Sequence, residues 1–159
     1  MWQDEQFTNI AQKYIDMIFR VAFNYLKERT EADDVTQEVL VKLYLSDKVF
    51  ESDDHLKNWL IRVTINSCKK VFLAPWRKTR PLESYAKELT FVAPEHSDLF
   101  EQIKELPRNY RLAIYLYYYE GYSTEEVAAL LNRPKATIAT WLHRGRQQLK
   151  IKLLEEYDD

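Results

Sequence analysis

One cysteine, two glycines and five prolines stand in 159 residues, and no apolar run exceeds the eight residues of Leu112–Tyr119. Each shortage excludes something. Cys68 alone permits no internal disulfide and no cysteine-based zinc site, and it suits a reducing compartment. His55, His96 and His143 are scattered singly, so no metal ligand set is expected. The tight turns of an all-β chain draw heavily on glycine and proline, whereas helices need few of either, so the expected fold is all-α. A membrane span needs ~18 apolar residues, far more than any run here. The opening Met1-Trp2-Gln3-Asp4-Glu5 lacks a basic stretch leading into an apolar one. A soluble, cytoplasmic chain with no membrane contact of its own is expected.

Acid is also missing where it would be informative. The net charge is only −2, yet His55 to Leu82 contains seven Lys and Arg and no Asp or Glu, and Val127 to Leu154 contains six and again no acid. Two basic surfaces on an otherwise acidic body are what a protein touching a polyanion at two places presents. Two solvated helix faces are the alternative reading. Hydrophobic residues at 46% supply a core and charged residues at 30% keep it soluble.

Helical spacing organises most of the chain. Phe7, Ile10, Ala11, Tyr14, Ile18, Ala22, Tyr25 and Leu26 predict a helix from about Asp4 to Lys27. Thr30 with Asp33 resembles a capping box opening a second helix, with Val35, Val39 and Leu43 inward. After the acidic loop Phe50–Asp54, a third helix carries Leu56, Leu60, Val63, Ser67 and Val71 inward. Pro75, Pro81 and Pro94 punctuate a stretch without period, read as a flexible linker. The expected organisation is therefore one small helical domain over 1–74, a linker over 75–95, and a second helical domain over 96–159.

In the second domain Leu99, Phe100, Ile103 and Leu106 precede a restart at Pro107, followed by Leu112, Ile114, Tyr115 and Leu116, and then Gly121 as a stop. Ser123 and Glu126 form a capping box for a short helix with Val127, Ala128 and Leu131 inward. Asn132-Arg133-Pro134 is a turn, and a last helix runs from Lys135 to about Glu155. This is the layout of a helix-turn-helix. Ile138, Leu142, Gly145 and Leu149 make the buried stripe with Trp141 at its edge, and Ala136, Thr140, His143, Arg144 and Gln147 project outward. Small residues for close approach beside donors that reach bases or phosphates suit a helix entering the major groove. An ordinary helix pair with a basic exterior is the alternative.

Two further faces carry chemistry. Asn58, Arg62, Asn66 and Lys69 share one side of the third helix, amides interleaved with cations as base and phosphate contact requires. Trp59 borders that side, as a stacking platform for an unpaired base or as part of the core. The second helix exposes Asp34, Gln37, Glu38 and Val41. That mixture repels DNA but can dock a protein whose Arg or Lys pairs the acids; acids that merely favour the helix dipole are the alternative.

The string Ala32-Asp33-Asp34-Val35-Thr36-Gln37-Glu38-Val39 resembles the polymerase-binding helix of the extracytoplasmic-function (ECF) sigma factors. Leu56-Lys57-Asn58-Trp59-Leu60-Ile61-Arg62-Val63-Thr64-Ile65-Asn66 is similar to their promoter-melting helix. Leu106–Arg111, Tyr119–Ala128, Thr137-Ile138 and Leu142–Arg146 resemble their C-terminal domain. The resemblance covers nearly all the chain except the linker, in the family's order.

It implies an RNA polymerase sigma subunit that directs core polymerase to promoters and assists melting, with sigma region 2 in the first domain and region 4 in the second. It assigns polymerase contact to Asp34, Gln37, Glu38 and Val41. Contact with the minus-ten element falls to Phe50, Asn58, Trp59, Arg62, Asn66, Lys69 and Lys70, with the loop from Phe50 to His55 pocketing a flipped base. The minus-thirty-five element falls to Lys135, Thr137, Thr140, His143 and Arg144. An anti-sigma factor is the further partner implied. The chain departs from the family at Ala139 and Trp141, where basic residues are common, and by placing Glu51, Asp53 and Asp54 in the base-pocketing loop. No glycine-rich phosphate loop, metal cluster or nucleophile–base pair is present, so neither an enzyme nor a cofactor is expected. A free-standing helix-turn-helix regulator of duplex DNA and a protein-binding helical adaptor are the alternatives.

Overall fold

A computed structural model describes residues 2–75 and 103–157, with side chains of the last helix described to Lys150. The expected linker from residue 76 onward, and Leu99 and Phe100, lie outside the described residues. The chain divides into two compact units, Met1–Phe91 and Val92–Asp159. All regular elements among the described residues are helical.

The first unit is built from α1 (Asp4–Leu26), α2 (Arg29–Leu45) and α3 (Asp53–Phe72), each packed against the other two. Ile18, Val21, Ala22, Val35, Val39, Leu43, Leu60 and Ile61 form its closed core. Lys27 ends α1 in the left-handed conformation, φ +57°, with its N–H on the Phe23 carbonyl. Only Glu28 then stays extended before α2, and this corrects the expected cap. Instead of Thr30 with Asp33, the buried Glu28 carboxylate accepts from the N–H groups of Thr30 at 3.1 Å and Glu31 at 2.6 Å. Thr30 and Asp33 therefore lie within the helix rather than at its entrance. A second correction concerns α3. Val63 and Val71 are half-buried, and the covered face is Leu56, Leu60, Ile61, Thr64, Ile65, Ser67 and Cys68. A helix wedged between two others covers a broader arc than a single stripe.

The second unit contains α4 (Arg108–Ile114), which continues as a π-helical turn over Tyr115–Tyr119, then α5 (Thr124–Leu131) and α6 (Lys135–Tyr157). The π-turn shows in the Glu120 N–H reaching the Tyr115 carbonyl at 3.2 Å. It buries Tyr115 and Leu116 but leaves Tyr118 and Tyr119 exposed. Gly121, at φ +78°, makes the turn that follows. Leu130, rather than the expected Leu131, completes the inner face of α5 with Val127 and Ala128; Leu131 is half-buried. Arg111 is buried and donates to the Leu106 carbonyl at 2.7 Å.

Ile138, Leu142, Gly145 and Leu149 are buried, as their spacing requires. Gly145 lets α6 approach α4: a β-carbon there would lie 3.0 Å from Ile114 Cγ1 and 3.4 Å from Tyr110 Cβ. Ile114 is itself buried and cannot withdraw. Gly145→Val is therefore expected to destabilise the second unit by about 1–3 kcal/mol through overpacking, read as a lower thermal midpoint. An unchanged midpoint would show that the helices can separate there without cost.

Candidate functional site

Three exposed faces carry the chemistry, two on the first unit and one on the second. On α2, Asp34, Gln37, Glu38 and Val41 are all exposed, Val41 by 56%. Their spacing of three and four residues sets them on one side because the core takes Val35, Val39 and Leu43 on the other. Glu38 pairs with Lys42 at 3.2 Å, and Lys42 also reaches Ser67 Oγ on α3 at 3.1 Å. The face is longer than the sequence reading made it. Leu45, four residues beyond Val41, is 71% exposed, and Tyr44 beside it 43%. Continuing the same helical spacing by one turn would have found Leu45.

The second face is α3 with the loop before it. Arg62, Asn66, Lys69 and Lys70 are exposed on α3. Asn58 differs from the expected outward position: it is half-buried, and its Oδ1 is enclosed without a hydrogen-bond partner among the described residues. Ser52 caps α3 by accepting from the His55 N–H at 3.1 Å, and the Glu51 N–H donates to His55 Nδ1 at 3.0 Å. The loop thus folds back on the first turn of its own helix. Phe50 packs edge-on against His55 at 5.3 Å and Trp59 at 5.4 Å between ring centroids. Trp59 is consequently half-buried, its ring committed in part to holding Phe50. The loop acids Glu51, Asp53 and Asp54 are all exposed, and Asp53 lies 3.6 Å from Lys13 on α1.

Phe50 has a further neighbour that sequence reasoning did not single out. The Trp2 ring stacks on it at 6.5 Å, and Trp2 Nε1 donates to the Leu43 carbonyl at 2.9 Å. Nothing local in the sequence signals a contact across 41 positions.

On the second unit, Ser123 and Glu126 make the full reciprocal capping box at 3.1 and 2.9 Å. Asn132, at φ +55°, turns the chain so that α6 begins at Lys135. Ala136, Thr140, His143, Arg144 and Gln147 are exposed together on α6; Thr137 and Trp141 are half-buried. Two of the expected DNA-facing groups already have partners within the chain. Lys135 Nζ lies 2.7 Å from Glu125 Oε1, and this hydrogen bond, then the charge, holds the Glu125 carboxyl below its ordinary range. Thr140 donates its hydroxyl to the Ala136 carbonyl at 3.1 Å, which leaves its oxygen free only to accept. Arg144 remains exposed, and Arg146 is drawn aside by the Tyr118 hydroxyl at 2.9 Å. No described helix is long and apolar enough to cross a membrane.

Family models agree with this layout. Sigma-70 region 2 matches residues 10–78 and Sigma-70 region 4 matches residues 96–149. The chain is 30% identical over 167 residues to the ECF RNA polymerase sigma factor SigW of Bacillus subtilis (strain 168), covering 94% of this chain and 89% of that one. It is 28% identical to the RNA polymerase sigma factor SigV of the same organism, covering 87% and 85%. Among solved structures it is similar to the sigma factor RpoE in complex with the anti-sigma factor NepR from Bartonella quintana. That match has a TM-score of 0.67 and 24% identity, and covers 94% of this chain and 96% of the other. Two helical units, an exposed acidic and apolar face on α2, and a helix-turn-helix in the order of regions 2 and 4 meet in one chain. The protein belongs to the ECF branch of the sigma-70 family of RNA polymerase sigma factors, transcription initiation factors that join core polymerase to promoter DNA.

Proposed function

We propose that the two units divide promoter recognition between them. The first, in residues 1–74, docks on core polymerase through Asp34, Gln37, Glu38 and Val41, with Leu45 extending the contact. It receives the minus-ten element on the Phe50 loop and on Arg62, Asn66, Lys69 and Lys70. The second, in residues 96–159, reads the minus-thirty-five element in the major groove with His143 and Arg144 foremost. Residues 75–95 connect them.

The observation that carries this reading is the separation of charge by face. Exposed acids with an exposed aliphatic residue occupy α2, whereas α3 beyond its acidic first turn, and the exposed side of α6, bear cations and amides. A surface for protein and two surfaces for nucleic acid are what such a subunit requires. Neither basic surface is large, so each binds weakly, and core polymerase supplies the scaffold that adds their affinities. The chain contributes no catalytic step and works in the cytoplasm, where the polymerase holds the nucleotide chemistry. The similar sigma factor in complex with NepR supports an anti-sigma factor as a further partner.

Run-off transcription with core polymerase on a genomic fragment library tests the reading. Start sites preceded by a shared pair of elements are expected only when the protein is added. Tight, salt-resistant binding of the isolated protein to one duplex would instead make it an autonomous regulator.

A further inference from the structure

Trp2 precedes α1, yet its side chain is half-buried and engaged at both of its faces of contact, with Leu43 and with Phe50. Its indole N–H donates to the Leu43 carbonyl, which also accepts from the Ser46 N–H at 3.1 Å. That carbonyl belongs to the last turn of α2, where helix carbonyls lack partners of their own. The tie sits where α2 gives way to the loop that carries Phe50. The first part of the loop has few ties of its own: Lys48 N–H reaches Ser46 Oγ at 3.1 Å, and Val49 is 83% exposed, whereas from Phe50 onward the loop is held against α3.

Between the chain start and this loop lies a cavity of about 240 Å³, lined by Trp2, Gln6, Ser46, Lys48, Val49 and Phe50. It is smaller than the roughly 300–1,000 Å³ typical of sites for drug-sized ligands, and of a size for one planar heterocycle. Trp2 and Phe50 offer aromatic walls on which any base can stack. Gln6 carries a donor and an acceptor suited to a base edge, and Lys48 a cation suited to the adjoining phosphate. Trp2 and Gln6 lie outside the stretch that matches Sigma-70 region 2, residues 10–78, while the other four residues lie inside it.

We propose that Trp2 is a positioning residue for promoter reading. It closes a composite pocket that takes one unstacked base of the non-template strand, with Gln6 at the base edge. The proposal rests on the reading of the Phe50 loop as the minus-ten contact. Trp2 acts in two ways, by stacking and by holding Phe50 and the end of α2 in place before DNA arrives, so that less ordering is left for the encounter.

The test is a double-mutant cycle with the full-length protein in holoenzyme, on a promoter recovered by the library transcription. Abasic sites are placed one at a time along the non-template strand of the minus-ten element, and open-complex yield is measured for wild type and Trp2→Ala. At one position the abasic site is expected to lower the wild-type yield about tenfold and the Trp2→Ala yield by less than about twofold. A Trp2→Ala loss by the same factor at every position would make the cycle additive, assign Trp2 to folding alone, and overturn the proposal. A wild-type holoenzyme indifferent to abasic sites throughout the element would overturn the reading of the Phe50 loop itself, and the proposal with it.

Discussion

Replacing Asp34 and Glu38 together by lysine is expected to weaken association with core polymerase by about 100-fold or more, while the helical fold survives. Reversing two charges in a complementary interface turns two attractions into repulsions, and like charges facing each other across an interface cost several kcal/mol. Folding has little stake in either group. Both are exposed, and the ion pair of Glu38 with Lys42 joins side chains 46% and 39% exposed. Pairs of that kind contribute about 0–1 kcal/mol. Lys42 keeps its second contact, with Ser67. Co-purification with core polymerase and far-UV circular dichroism read the two halves of the prediction separately. Retained association would leave the α2 acids as helix-favouring residues and move the docking face elsewhere, with Val41 and Leu45 the first place to look.

The second large effect separates the two DNA surfaces by the state of the DNA each one meets. Arg144→Ala should weaken recognition of the upstream duplex, by about 1–3 kcal/mol for a bidentate base contact. Its guanidinium stands exposed beside His143, and with Lys135 engaged by Glu125 few other cations on that face can compensate. Asn66→Ala should act at opening instead. Asn66 is exposed on α3 among Arg62, Lys69 and Lys70, so its loss is expected to reduce duplex opening and to matter less on a template already mismatched across the minus-ten element. Pre-melting supplies the unpairing energy that contacts with the single strand otherwise offset. Permanganate reactivity of thymines in holoenzyme complexes measures opening directly. Normal opening with the Asn66 variant alongside failure with the Arg144 variant would make the α3 stripe a solvated face.

Periodicity is a local property, and what depends on it was legible without coordinates. Ile138, Leu142, Gly145 and Leu149 had to share a face once the last helix was recognised. The Ser123–Glu126 capping box is likewise complete within four residues. The two acid-free windows located the candidate nucleic-acid faces for the same reason, since a helix turns a sequence interval into a surface by a fixed rotation.

Tertiary packing decided what short intervals cannot. Glu28 displaced Thr30 as the cap of α2 because α1 ended in a left-handed residue immediately before it. Val63 and Val71 yielded core positions to Ile61, Thr64, Ile65 and Cys68 because α3 meets two helices at once. Lys135 lost its freedom to Glu125, ten positions away on the preceding helix. Trp2 acquired a role only through a carbonyl at position 43 and a ring at position 50. By itself the sequence determined the helices, most of their inner faces and the charge that each outer face carries, all of which follow from spacing along one chain segment. Which polar groups are already occupied, and which distant residue closes the pocket beside Phe50, was decided by the folded structure alone, because those contacts join residues whose separation in sequence sets no distance in space.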